Sequence, residues 1–394
     1  MSSPDNISRP PAPLASISPS PRIDILLPSK ERFGPRNAGA ISGVVHDLIT
    51  ASQTPNLFHV FGHPVDAPFD DVAFTGIAPR QSWLYGSNLG LAKAYLHTLK
   101  TLPAPALIEV HSRCHVAAHI AAKRPDLRIA LYLHNDPREM NGGRTIAERR
   151  KLLKSMATVI CVSDYIKNCF LDGLNVDEAL AAKVVTARNG AKRWLSKPQS
   201  KRKMILVASR MVPEKGILEC ATALAQVLAT KPDWHVMVAG ARRFDESAPG
   251  SYEADVAAAL APLGDCATML GFIPAEDVRK LQQEAAIILC PSLWHDPMPK
   301  TVLEALAAGS ALLTTRRGGI PEAAEGRAHI VDQPTAETFA AALERLVTDD
   351  AYRTGLQETA WQDFPFTASK MADDADTHRA AAIQGVPSAT NQRQ

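Results

Sequence analysis

The chain of 394 residues is long for one domain, and two domains of ordinary size are the default. Its 46% hydrophobic and 21% charged residues exclude fibrous and disordered classes, and a formal net charge of +2 excludes nucleic acid as a bulk electrostatic partner. Six cysteines standing singly, with no Cys-x-x-Cys pair, read as buried free thiols of a reducing compartment rather than disulfides or metal ligands.

Residues 1–20, rich in Ser and Pro and without an apolar core, read as a disordered leader and not as a signal peptide. No apolar run approaches the roughly eighteen residues of a membrane span, so a soluble cytoplasmic protein is expected. Short apolar runs then alternate with amphipathic ones. "IDILLP" (23–28) reads as a buried strand, "SKERFGPRNAGA" as a loop and "ISGVVHDLITAS" as a helix. "ALIEVH" (106–111), "IALYLH" (129–134), "ATVICVS" (157–163) and "KVVTARNG" (183–190) continue the strands.

The basic stretch "AKRWLSKPQSKRK" (191–203) interrupts this series as a hinge linker. Its six cations around Trp194 would also suit peripheral contact with an anionic inner membrane surface. Beyond it "MILVAS", "WHVMVAG", "AIILCPS" and "ALLTT" read as strands, with "GILECATALAQVLAT", "AEDVRKLQQEA" and "PKTVLEALAAG" as helices. The alternation predicts an α/β protein of two doubly wound, Rossmann-like domains, 21–198 and 199–360, with ligands outside the carboxyl ends of the strands. "WQDFPFTASKMADDADTHRAAA" (361–382) is a helix pattern broken by Pro365. With no strand left to serve, it is expected to cross back onto the first domain, ahead of a tail at 383–394.

In "VASRMVPEKGILE", Arg210 follows a strand and Lys215 precedes Gly216 and a helix, so two cations and a helix N-terminus make a candidate anion site. Two solvated surface cations are the plainer alternative. In "WHDPMPKTVLEALAAGS" (294–310), Pro297 and Pro299 hold the helix back to Lys300. Lys300 and Thr301 then lie at its N-terminus, with Glu304 about one turn in. Glu304 could accept from both hydroxyls of a ribose and Asp296 from a sugar hydroxyl, while the helix end attracts a diphosphate between them. The alternative is a half-exposed helix Glu and an Asp that favours the dipole. His111, His115 and His119 would align on one helix face, but the H-E-x-x-H glutamate is absent and His111 ends a strand, so no metal site is expected.

These residues carry a family resemblance. The second half resembles the nucleotide-sugar-binding domain of family 4 (group 1) glycosyltransferases, retaining enzymes of the GT-B fold. That family's signature is an acidic residue, seven others, then Glu, followed by a small-residue helix end and a Gly-Gly-x-Pro-Glu turn. The match here is "DPMPKTVLEALAAG" and "GGIPE" (318–322). The phosphate cations of R-x-x-x-x-K-G fall on Arg210 and Lys215, and "GFIPAEDV" resembles the base-contacting turn, with Phe272 and Ile273. More weakly, "NAGA" around Gly39 resembles the glycine-rich loop after the first strand, and "YLHND" puts His134 where a strand-end histidine meets the donor sugar.

The resemblance spans residues 22–382 and is specific from 205 to 325. It implies two facing domains with the site in the cleft between them, and a donor held by Gly39, Arg210, Lys215, Phe272, Ile273, Asp296, Met298, Lys300, Thr301 and Glu304. His134, Asp296, Arg210 and Lys215 would lie nearest the chemistry. The implied donor is a UDP- or GDP-sugar, the acceptor a glycan or lipid-linked glycan approaching "SKERFGPRNAG", with no cofactor and no metal. Retention of configuration and a role in cell-surface polysaccharide or lipopolysaccharide assembly complete the expectation.

The chain departs from the pattern at the hexose pocket. Asp296 stands where Glu is usual and is a methylene shorter, and Pro297 and Pro299 stand where glycines are common, each removing an N–H. Two other readings therefore remain: a sugar-nucleotide-binding protein in which these changes have abolished turnover, and a nucleotide-sugar epimerase on the same fold. An NAD enzyme is disfavoured because neither first-strand loop reads G-x-G-x-x-G.

Overall fold

The computed structural model describes residues 21–36, 38–242 and 250–385. The expected leader and most of the tail lie outside them. Two sheets, each wholly parallel, organise the described residues. The first contains β1 (Ile23–Leu26), β2 (Phe58–Gly62), β3 (Phe74–Gly76), β4 (Leu107–His111), β5 (Ile129–Leu133), β6 (Thr158–Cys161) and β7 (Val184–Thr186), in the order β3-β2-β1-β4-β5-β6-β7. The second contains β8 (Arg202–Ala208), β9 (His235–Ala239), β10 (Ala267–Gly271), β11 (Ala285–Cys290), β12 (Ala311–Thr315) and β13 (His329–Val331), in the order β10-β9-β8-β11-β12-β13.

Helices cover both faces, so the central strands are buried end to end. That is why β4, β5 and β6 are buried at every position and largely apolar instead of alternating. Strands β2, β3, β10 and β13 were not marked by the sequence rhythm. Two of them are only three residues long, and β10 is half exposed at an edge.

In both sheets the chain order reverses beside the first strand, at β1/β4 and at β8/β11. The crevice of an open parallel sheet lies outside the carboxyl ends of the strands at such a reversal. The segments after β1, β4, β8 and β11 therefore hold Gly39, Ser112, Arg210 with Lys215, and Asp296.

The crossing between domains is double. Residues after β7 run beside the segment that joins the helices Asp350–Gln362 and Ala368–Gln384, where Ala191 and Thr367 form a parallel bridge. Pro365 sits in this break. The last helix packs on the first domain, against the helix Ala40–Thr50 and strands β4, β6 and β7. The basic linker is bolted down at both ends. The Arg193 guanidinium lies 4.2 Å over the Trp361 ring and donates to the Trp361 carbonyl at 2.7 Å. The Lys201 ammonium donates to the carbonyls of Gln283 and Ala308 at 2.7 and 2.8 Å, and burial pushes its pKa down to about 8. Trp194 between them stays half exposed, flanked by Lys192 and Arg279 at 4.2 and 4.0 Å.

All six cysteines are free, four of them buried. Among the described residues no helix is long and apolar enough to cross a membrane.

Candidate active site

The carboxyl-end loops of the two sheets touch. Lys300, at the N-terminus of the helix Lys300–Ala307, ion-pairs with Asp47 on the helix that follows β1. The Asn189 amide donates to the Met298 carbonyl at 3.0 Å, and the Tyr165 and His295 rings stack 6.3 Å apart. Glu322, the last residue of "GGIPE", accepts from the backbone N–H groups of Asp164 and Tyr165 at 2.9 and 2.7 Å, and from Arg188 at 3.1 Å. A carboxylate on two free N–H groups of a helix N-terminus is a favoured pairing. Of the expected donor-binding residues, Lys300 and the Met298 carbonyl thus make contacts between the domains.

The two glycines of that turn have a packing cause. A Cβ on Gly319 would stand 1.8 Å from the Pro297 carbonyl oxygen, and one on Gly318, which has φ of 57°, would stand 2.2 Å from that of Asp296. The turn presses on the "HDPMP" loop from behind, and Gly319 N–H donates to the Asp296 carbonyl at 2.8 Å. This clamp, with the two prolines, fixes where Asp296 points.

Asp296 is 6% exposed, ion-paired to Lys215 at 2.5 Å and bonded by Ser292 Oγ at 3.0 Å. Together with Ser209, Thr301 and Ile320 these residues line a small cavity of about 10 Å³. Ser209 also lines an open cavity of about 180 Å³ with Arg210, Phe272, Ile273, Gly240 and Val278. The two spaces therefore adjoin. Phe272 presents a ring that is 45% exposed at the rim. Glu304 lines neither space; half buried, it accepts from the Gln282 amide at 3.1 Å beside Lys192, Trp194 and Arg279.

In the first domain His134 follows β5, 8% exposed, its Nε2 2.8 Å from His111 Nδ1. Its backbone N–H donates to Ser112 Oγ at 3.0 Å. Ser112 is fully buried with φ of 48°, a strained conformation for a non-glycine residue and one that marks the β4 end as a specialised position. Burial foremost, and the neighbouring His111 second, hold His134 well below the ordinary imidazole range, so it is neutral. His111 belongs to β4 while His115 and His119 lie on the next helix, and no group of three or more potential metal ligands occurs among the described residues. Gly39 caps the helix Ala40–Thr50, where Glu31 lies against it and accepts from Ser42 N–H at 3.0 Å.

Sequence reasoning missed Glu109, His111 and Arg379. Arg379 on the last helix grips Glu109 through Nε and Nη2, both at 2.7 Å, and His111 Nε2 meets Glu109 Oε1 at 2.8 Å. The available signal was a single carboxylate inside the fully buried strand "LIEVH", which needs a charged partner from elsewhere.

Two parallel sheets, with Arg210, Lys215 and Asp296 gathered at the reversal point of the second, make a two-domain α/β protein with a candidate anion site on its second domain. Residues 190–363, the second domain and its crossings, match the glycosyl transferases group 1 family. The putative glycosyltransferase YtcC of Bacillus subtilis is 27% identical over 64% of this chain and 67% of its own length. A lipopolysaccharide 1,2-N-acetylglucosaminetransferase of Salmonella typhimurium is 23% identical over 73% and 78%. The structure of Anabaena HepE in complex with UDP and glucose superposes with a TM-score of 0.70 at 16% identity, covering 90% and 98% of the two chains; it shares the GT-B fold.

Proposed function

We propose that the protein is a retaining glycosyltransferase that moves a hexose from a nucleoside-diphosphate sugar to a glycan or lipid-linked acceptor in cell-surface polysaccharide or lipopolysaccharide assembly. The observation that carries this is the pair of adjoining cavities. One holds Lys215, Asp296 and Thr301 at a helix N-terminus; the other has a broad apolar wall of Phe272 and Ile273 beside Arg210. Their order suits a diphosphate, its sugar and a base in line, and the likeness of the second domain to nucleotide-sugar enzymes supports it.

In this reading the bond from the sugar's anomeric carbon to the diphosphate breaks, and its electron pair leaves with the diphosphate. Lys215 and Arg210 stabilise that growing charge, and backbone N–H groups of the helix end add to it. The acceptor hydroxyl attacks from the same face and gives its proton to the departing phosphate oxygen. Asp296 and neutral His134 hold sugar hydroxyls. UDP or GDP is the nucleotide class to test, and no cofactor is required.

Thermal shift against a panel of UDP-, GDP- and ADP-sugars tests the proposal, since the true donor stabilises by mass action. A panel in which no nucleotide sugar raises the melting temperature would overturn it. Two expectations follow at once. Glu304→Gln should weaken nucleotide binding roughly 10- to 100-fold, the loss of a charge-assisted hydrogen bond to ribose, with unchanged melting; equal affinities by calorimetry would place the ribose elsewhere. Transfer should survive EDTA, because Lys215 and Arg210 supply the positive charge for the diphosphate in this reading. Loss of activity restored by manganese or magnesium would mean that the cation set is incomplete.

A further inference from the structure

A buried chain of hydrogen bonds runs from the cleft to the last helix of the molecule. His134 Nε2 meets His111 Nδ1, His111 Nε2 meets Glu109 Oε1, and both Glu109 oxygens are gripped by Arg379. Arg379 Nη1 continues to Asp376 at 2.8 Å, whose other oxygen accepts from Ser52 Oγ at 2.6 Å. Glu109 and His111 have no exposed surface and Arg379 has 1%. Tyr132, stacked on both imidazoles at 4.9 and 5.0 Å, fixes the ring planes.

The direction of each bond follows from counting protons. Arg379 only donates, so the Glu109 carboxylate accepts, and His111 Nε2 must carry a hydrogen to share that carboxylate. A neutral His111 then has a lone pair at Nδ1, which only an Nε2–H on His134 can fill. The opposite sense needs a doubly protonated His111 beside a carboxylate that Arg379 already neutralises, which is the costlier arrangement in a buried site. His134 Nδ1 has no protein partner among the described residues.

We propose that Arg379 is a positioning residue: through Glu109 and His111 it fixes His134 as the Nε2–H tautomer, so that the Nδ1 lone pair accepts from a hydroxyl of the transferred sugar. The assignment of that hydroxyl rests on the proposed function; the tautomer does not. The same helix that closes the first domain thereby sets the polarity of a donor-sugar contact, a role no motif in the second domain performs.

Nitrogen-15 NMR of full-length protein labelled at histidine tests this, with His134→Gln to assign the signal. The wild type should show His134 protonated at Nε2 alone. His111→Phe keeps the stack on Tyr132 and the Glu109–Arg379 pair but cuts the chain, so both His134 tautomers should appear. Turnover with the nucleotide sugar selected by the panel should fall roughly 10- to 100-fold, the usual scale for a group that orients a site residue, while affinity for the free nucleoside diphosphate stays unchanged. A wild-type His134 protonated at Nδ1 overturns the proposal, even if the variant does not fold. So does a His111→Phe enzyme with one tautomer, or with wild-type turnover. If the panel selects no nucleotide sugar, the proposed function falls and the NMR result still decides the relay.

Discussion

His134→Ala and Asp296→Asn should each lower sugar transfer about 100- to 1,000-fold, the cost of removing one preorganised hydrogen-bonding group from a transition state. Affinity for the nucleoside diphosphate should behave differently in the two. His134 is neutral and sits on the first domain, away from Arg210 and Lys215, so its loss should leave that affinity unchanged. Asp296 shares Lys215 with any incoming phosphate, because the two are ion-paired. Removing its charge frees the ammonium, so Asp296→Asn should bind nucleoside diphosphate as well as or better than the wild type while transferring poorly. Turnover assays beside calorimetric titrations would show the split. Near wild-type turnover in both variants would put the sugar elsewhere and give Asp296 only a structural task.

Glu109→Gln should be the most destabilising single exchange in the first domain. It removes the buried counter-charge of the Arg379 guanidinium and leaves it only the partly exposed Asp376, and breaking such a buried pair typically costs about 3–5 kcal/mol. Replacing both partners by apolar residues, as in Glu109→Leu with Arg379→Met, should recover much of that loss, because no charge is then stranded. Acid should mimic the single exchange. Burial alone would raise the Glu109 carboxyl, yet the charge and hydrogen bonds of Arg379, with those of His111, hold it well below the usual carboxylate range. Its folded value lies under its unfolded one, so the contribution is complete above about pH 4.5, the ordinary value, and is lost as pH falls through the folded value. Urea melts of the wild type and of the double variant across this range should converge; parallel curves would contradict the assignment.

The second domain is the more legible half of the sequence. The "DPMPKTVLEALAAG" and "GGIPE" stretches work through recognisable local geometry: prolines delay a helix, and two glycines farther along admit the close turn that clamps Asp296. Each half of that clamp is written in a short run of letters. Lys300 and Met298 show the limit of that reading, because their contacts with Asp47 and Asn189 cross between domains. Nothing in "PMPK" says that its lysine will meet an aspartate on a distant helix. The Lys215–Asp296 pair is not legible for a related reason: each residue reads against a ligand, whereas in the structure they meet each other. Strand β4 announced a problem, a carboxylate in an apolar run, but its solution lay 270 residues further on.

That separation has a consequence for biosynthesis. A ribosome adding about 5–20 residues per second takes roughly 15–55 s to travel the 270 positions between Glu109 and Arg379. Throughout that interval β4 carries a carboxylate whose only guanidinium partner has not been made. Every strand of both sheets, ending with β13 at Val331, is made before Arg379 is. The pairing that neutralises β4 is therefore one of the last long-range contacts that synthesis makes possible.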